Sequence, residues 1–379
     1  LRQIKQSYNL VSDYDTLSIE AEKLLHESAI GVDLEADSLF HYREKVCLLQ
    51  ISTRDYNLLI DPLLIKDLTP LLPLFKNSKI LKVFHGADYD IRSLYRDFKI
   101  KVKNMFDTQL AARFLSLSET SLANLLKDNF NINLEKKYQK RDWSKRPLTN
   151  GMLLYAVQDT CYLLALFDVL ERQLRKKGRF SWVKEECELL SMVRPSPPND
   201  NPFFMRFKGA GKLTPRDLSL LEVILTLREK IAEKKDRPPF KIMRNEQIME
   251  IVQNPPTTMD KLKSLSHGQI KLMGKELLKR IGSALQIPED KLPVFPRNNN
   301  RPPRPIVSER IKLLKDWRQK YAEEIGIDMS LVCTNFQIQS LAASCPATSH
   351  EIKENKLLKT WQRDLYGDEI CEILNAGNW

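Results

Sequence analysis

Four carboxylates and one phenol, spread over three separated segments, are the most chemically capable set in this chain. Asp33 and Glu35 lie in AIGVDLEADS, Asp90 in FHGADYDIRSL, and Tyr155 and Asp159 in LLYAVQDTCYLL. In a strand, Asp33 and Glu35 would share one face while Val32 and Leu34 face the core. Carboxylates that close repel each other unless a cation bridges them. Tyr155 and Asp159 are four apart in an apolar helical run, so they also share a face. An acid buried there is costly without a partner, and a metal would satisfy it. Taken together, the set describes a carboxylate cage for two divalent ions with a phenol beside it. Two metals about 4 Å apart can stabilise both the attacking and the leaving oxygen of a phosphodiester displacement, and all-oxygen ligands suit Mg²⁺.

Each part has a plainer alternative. Asp33 and Glu35 could be solvated acids at a strand end, and Asp159 an acid at the edge of an apolar stripe. Asp90 follows an apolar run, in the first turn of a helix, where an acid also complements the dipole. Asp88 is expected to cap that helix, which leaves Asp90 as the ligand; Asp107, before Thr108-Gln109-Leu110, is expected to cap the next. His85 is a candidate for the substrate phosphate or a structural histidine. The loop KKYQKRDWSKRPL sets Lys140, Arg141, Lys145 and Arg146 around Trp143. Cations for phosphates with rings for bases mark single-strand binding; the alternative is a solvated basic face with Trp143 anchoring the loop.

These residues need a sheet and helices to bring them together. Ile30–Glu35, Val46–Ser52 and Asn57–Ile60 read as an antiparallel meander. Ile80–Phe84 and Asn104–Phe106 read as further strands, alternating with helices at 88–98, 108–115 and 121–129. One long helix is expected over 149–177, ending at Gly178 behind three cations. This order predicts an α/β domain, a mixed sheet with flanking helices, over residues 1–192. The Pro-rich segment 193–212 reads as a linker. Residues 213–292 and 306–379, separated by a second linker at 293–305, read as two small all-α modules. They share an order of elements: a long helix (LREKIAEKKDRPPF; LKDWRQKYAEEIGI), a short helix ending at proline, and a last amphipathic helix. That order suggests an internal repeat.

Composition narrows the class. The chain has 379 residues, 42% hydrophobic and 29% charged, with a formal net charge of +11; a basic excess of this size favours a polyanionic partner. No stretch is expected to approach the length of a bilayer span. The N-terminal segment is polar, without the apolar region of a signal peptide; it starts at Leu1, so an initiator or a short leader is expected to be missing. Six cysteines without a C-x-x-C pair argue against structural zinc and fit a reduced, cytoplasmic protein. GAGKL at 209–213 lacks the hydroxyl residue of a P-loop, and no G-x-S-x-G elbow occurs.

The order Asp33-x-Glu35, His85 before Asp90, and Tyr155-x-x-x-Asp159 resembles the DEDDy branch of the 3′-to-5′ exonucleases. The segment DWSKRPLTNGMLLYAVQDTCYLL resembles the ribonuclease D family within it, and the two helical modules resemble HRDC domains, the first through REKIAEKKDRPPF. The stretch 202–213 departs from the family pattern, lacking a tryptophan before its lysine and glycine. The resemblance implies an RNase H-like sheet and two bound Mg²⁺ or Mn²⁺ ions. It implies Asp33, Glu35 and Asp159 on the ion that activates water, Asp33 bridging to the second, and Asp90 completing the site. Tyr155 would orient the attacking water. The expected activity is 3′-to-5′ hydrolysis of RNA, releasing nucleoside 5′-monophosphates from tRNA precursors and other structured RNA with single-stranded 3′ ends. A monomer acting away from membranes is expected. The alternatives are a DNA 3′ exonuclease and a non-catalytic nucleic-acid scaffold.

Overall fold

The structure is a computed structural model that describes residues 7–197, 199–265, 273–296, 304–354 and 356–376. The first six residues and the middle of the second linker, 297–303, lie outside the described residues. The chain divides into two compact units. One holds residues 1–35, 46–195 and 301–379; the other holds 36–45 and 196–300.

The first unit is built on a six-stranded mixed sheet of order β1-β4-β3-β2-β5-β6. Its strands are β1 Tyr8–Val11, β2 Ala29–Ala36, β3 Val46–Ser52, β4 Asn57–Ile60, β5 Leu81–Phe84 and β6 Met105–Asp107. β3 and β4 pair antiparallel, as the meander pattern predicts, while β2–β5 and β5–β6 pair parallel. β1 adds a parallel edge beside β4. All seven residues of β3 are buried, because it lies inside the sheet with helices packed over it.

The helices that matter to the site are α1 Asp88–Phe98, α2 Thr108–Phe114, α3 Asn150–Thr160, α4 Leu163–Lys176 and α5 Phe180–Ser191. The single helix expected over 149–177 is therefore two, broken at Cys161 and Tyr162. Asn150–Lys176 is long and apolar enough for a membrane span by length and composition, which corrects the expectation that no stretch approaches one. Most of it is buried, and its apolar residues Ala156, Val157, Leu166 and Leu170 belong to the core under the sheet. Core packing accounts for that composition.

The second unit has its own core around Leu221, Ile224 and Ile248, built on the 21-residue helix α6 Pro215–Lys235 and the closing helix α7 Gly274–Leu285. The loop 36–45 belongs to it. There Asp236, at the left-handed end of α6, accepts from the Tyr42 backbone N–H at 3.1 Å and lies 2.6 Å from His41 Nδ1.

The last module contains α8 Pro305–Ile325, α9 Asn335–Ser344 and α10 Thr360–Asn375, and it repeats the second unit closely. Arg228 of α6 donates to Asn245 Oδ1 at 3.0 Å, and Arg318 of α8 donates to Asn335 Oδ1 at 3.0 Å. Both long helices end on a left-handed residue, Asp236 and Gly326. Yet the last module shares the core of the sheet unit. Trp361 stacks on Trp182 at 5.0 Å. Glu185 of α5 accepts from the Thr360 and Trp361 backbone N–H groups, at 2.6 and 3.0 Å, satisfying the first free donors of α10.

Candidate active site

β2 alternates as its sequence predicts. Val32 and Leu34 are buried in the core, while Asp33 and Glu35 are partly exposed in a cleft of about 390 Å³. Gly31 sets the distance to the helical layer. A Cβ there would lie 2.9 Å from Thr160 O and 3.2 Å from Leu163 Cβ, so only glycine allows the end of α3 to approach β2 this closely. Ser52 of β3 ties the same helix end down, with its hydroxyl 2.6 Å from Thr160 Oγ1. Asp159, one residue earlier, is thereby carried to Asp33 and Glu35. One oxygen from each of the three carboxylates lies within 4.8 Å of the others.

Asp90 stands in the first turn of α1, buried, and outside that group of three. It is still close enough for its charge to act on Asp33 and Glu35. Asp88 does not cap α1 as expected. Ala87 occupies the cap position, and Asp88 turns outward to Arg92 at 2.8 Å. Asp107 does the anchoring instead: it caps α2 through the Gln109 and Leu110 N–H groups and also accepts from Gly86 and Ala87 N–H. One buried carboxylate thus fixes the starts of two helices, including the turn that carries Asp90.

The electrostatics are those of negative charge held out of water without compensation. Desolvation, then the charges of Asp90, Asp159 and Glu35, raise the Asp33 pKa well above the ordinary carboxylate value. Glu35 is raised by desolvation and by Asp159 and Asp90. Burial pushes Asp159 up to about 7, against the phenol of Tyr155, which favours its charged form. Burial and then the charge of Asp107 push Asp90 up to about 8. Among the described residues, no lysine or arginine pairs with any of these four. A divalent cation is what a donor set of this chemistry fits.

Tyr155 lines the cleft and packs against Tyr138 and Trp143, with ring centroids 6.1 Å away in each case. Tyr138 itself needs Gly151, where a Cβ would fall 2.3 Å from its hydroxyl oxygen. Burial, then Asp159, raises the Tyr155 pKa, so the phenol stays protonated at neutral pH.

The basic loop is only partly what its sequence suggests. Trp143 is 1% exposed, so it cannot offer a face to a base and serves as the anchor behind Tyr155. Arg146 is also taken out of the binding set. Its guanidinium holds Asp61 with two bonds, of 2.5 and 2.7 Å, and donates to Cys47 O and Trp143 O. Lys140, Arg141 and Lys145 are exposed, Lys145 lying 3.9 Å from Asp142. The loop residues that line the cleft are Lys136 and Gln139, with Gln109 from α2. Glutamine in a mixed sequence carries no sign of a site, so the two glutamines had no signal to be found by.

His85 lines the cleft. Its Nδ1 lies 2.9 Å from Thr108 Oγ1, which donates its own proton to Phe84 O. Nδ1 must therefore be the donor, leaving Nε2 as an acceptor. Burial lowers the His85 pKa, so the ring is neutral at pH 7.

This architecture, a mixed sheet with a carboxylate cage at the edge of its helical layer, is that of an exonuclease. The 3′-5′ exonuclease family matches residues 8–175, and the HRDC domain matches residues 217–282 and 307–374. The chain is 29% identical over 374 residues to Ribonuclease D of Bartonella henselae, covering 97% of this chain and 90% of that one. It is 28% identical over 373 residues to Ribonuclease D of Haemophilus influenzae, covering 97% and 92%. Among solved structures, the catalytic core of RRP6 from Trypanosoma brucei is similar with a TM-score of 0.68 at 30% identity, covering 75% of this chain and 81% of that one. The chain belongs to the ribonuclease D family of 3′-5′ exonucleases.

Proposed function

We propose that this protein is an exoribonuclease that removes nucleoside 5′-monophosphates one at a time from RNA 3′ ends, using two Mg²⁺ or Mn²⁺ ions. Asp33, Glu35 and Asp159 would hold the ions, with Asp90 beside them. The observation that carries this is the cage itself: three carboxylates within 4.8 Å of one another, with no lysine or arginine paired to them among the described residues. Bound there, divalent ions supply positive charge to the attacking and leaving oxygens and acidify water.

The chain's own residues do the rest. Tyr155 is a protonated phenol clamped between two rings, so it serves as a positioner of the attacking water, not as its base. His85 is neutral and presents an acceptor. It therefore suits a sugar hydroxyl better than a phosphate, and a 2′-hydroxyl is what separates RNA from DNA. Lys136 at the cleft meets the phosphate backbone, and the exposed Lys140, Arg141 and Lys145 extend that surface. RNA as substrate is supported by the relatives, which are ribonucleases. Trimming of tRNA precursors by a monomer is the reading that follows from the family resemblance, and a cytoplasmic location is the one that fits six cysteines without a C-x-x-C pair.

The test is a 3′-extended tRNA precursor, labelled at its 5′ end, beside the same strand as DNA. A ladder shortening from the 3′ end of the RNA, stopped by EDTA and by Asp33→Asn, is the expected result. Preference for DNA would move the function to DNA 3′ ends. Binding without shortening in either Mg²⁺ or Mn²⁺ would make the protein a scaffold.

A further inference from the structure

One buried side chain beside the cage has no partner for either of its polar atoms. Gln50, in β3, is 0% exposed, and neither its Oε1 nor its Nε2 makes a hydrogen bond among the described residues. A buried polar group left unpaired costs about 1–3 kcal/mol. Packing alone gives no reason for an amide there, since an apolar residue of similar volume fills such a space without that cost.

Strand alternation shows which way Gln50 stands. Ser52, two residues on, reaches Thr160, the neighbour of Asp159, so Ser52 and Gln50 share the face covered by α3. Gly31 also meets Thr160, so Gly31, Asp33 and Glu35 stand on that same face. β2 and β3 are adjacent. They are joined by residues 37–45, which contain no helix and are too few for a parallel crossover, so the two strands run antiparallel. Gly31 and Ser52 meet the same residue of α3. Asp33 and Gln50 each lie two residues further along the same face of these adjacent strands, in the same direction from Thr160.

We propose that Gln50 is a positioning residue for the cage: its amide pairs with the Asp33 carboxylate and with the hydration of the divalent ion that Asp33 holds. This rests on the metal-cage reading above. A group behind a ligand fixes the ligand's orientation, and its loss costs about 10–100-fold in metal affinity.

The experiment uses the full chain as wild type, Gln50→Met and Ile51→Val. Ile51 is also fully buried but points to the other face of the sheet. Two quantities are read for each: Tm without metal, and Mn²⁺ affinity by calorimetry. Gln50→Met is expected to keep or raise the metal-free Tm while weakening Mn²⁺ binding about tenfold or more. Ile51→Val is expected to lower Tm and leave Mn²⁺ binding unchanged. Wild-type Mn²⁺ affinity in Gln50→Met overturns the proposal. So does a loss of affinity that Ile51→Val shares, since that would follow from destabilisation alone. Should wild type bind no Mn²⁺, the cage reading itself fails, and that result is distinct from either of the others.

Discussion

The sheet unit treats the charge it buries in opposite ways. At the cleft, Asp33, Glu35, Asp90 and Asp159 crowd together with no cation beside them among the described residues, and all four hold their protons too tightly for ordinary acids. Elsewhere Arg146, Asp61 and Lys82 are answered by the chain itself. Arg146 clasps Asp61 with two bonds, and Asp61 also accepts from the Leu63 N–H. Lys82, 0% exposed in β5, donates to the carbonyls of Asn77, Ile80 and Lys103. The cost of taking a charge out of water is the same in kind at both places. Where the chain supplies the partner, the charge holds the fold together. Where it does not, the partner comes from outside, and the site is functional.

The largest effect that could break this contrast is at the cage. Asp33→Asn should cut the hydrolysis rate on the order of 10⁴-fold, as when one member of a catalytic unit is removed. It should also leave the metal-free protein at least as stable as wild type, because it removes a repelling charge. A rate assay and a thermal melt on the same sample check both halves. A clear fall in metal-free Tm would mean that Asp33 is part of the structural set instead. The mirror experiment is Arg146→Met, which strands Asp61 in the core. Breaking a buried pair this way costs about 3–5 kcal/mol, and the partial exposure of the Arg146 side chain, 22%, argues for the lower end. Denaturant unfolding should show that loss, while turnover per folded molecule stays within about tenfold of wild type. Wild-type stability would show that Arg146 is free to bind nucleic acid after all.

How much of this contrast is legible in the sequence depends on the distance over which each partner is found. The ligands of the cage are legible because period-2 and i,i+4 spacing places Asp33 with Glu35 and Tyr155 with Asp159 by local geometry alone. The strands of the meander are legible for the same reason. Arg146 reads as a binding residue because its partner is 85 residues away, and no local pattern joins them. Trp143 is ambiguous because an aromatic residue among cations can stack outward or anchor inward. Only the fold decides, by placing it against Tyr155. The break at Cys161 and Tyr162 is hidden because both flanking helices bury the same kind of apolar residue. Gln50 is hidden because one amide inside CLLQI looks like a tolerated substitution in a core strand. The two helical modules share an order of elements in the sequence, and only the fold shows that Trp361 of the last meets Trp182 and that Glu185 caps its closing helix.

The effect next in size is on pH. A carboxyl whose folded pKa is raised keeps its proton in the folded state after the unfolded chain has lost its own. Its stability is therefore fully present below the ordinary carboxylate value and is lost as pH rises through the folded value. For Asp159 and Asp90 that window runs from about 4 up to about 7 and about 8. His85, lowered by burial, opposes this near the ordinary imidazole value, but it is one group against four. Lys82, lowered to about 8 by burial, acts only above that. Metal-free Tm should thus fall between pH 5 and pH 8. Binding of Mg²⁺ or Mn²⁺ must displace the retained protons, so the Tm gained on adding metal should grow over the same range. A gain independent of pH would mean that the acids are already ionised and that the cage is wetter than its burial suggests.

The smallest change in stability is expected where charge is neither caged nor paired in the core. Lys140, Arg141 and Lys145 are exposed, so changing each to glutamine should move stability by no more than about 0.5 kcal/mol. Their contribution, if they meet RNA, lies in salt dependence. Each phosphate contact on a single strand contributes about 0.7 to the slope of log affinity against log salt, so the triple variant should flatten that slope by about 2. Lys136 lines the cleft itself, and Lys136→Gln should flatten the slope by about 0.7 alone. A slope that responds to Lys136→Gln but not to the triple variant would confine the RNA path to the cleft wall. The outer loop would then be a solvated basic face, and its tryptophan and arginine, turned inward on Tyr155 and Asp61, would be its whole purpose.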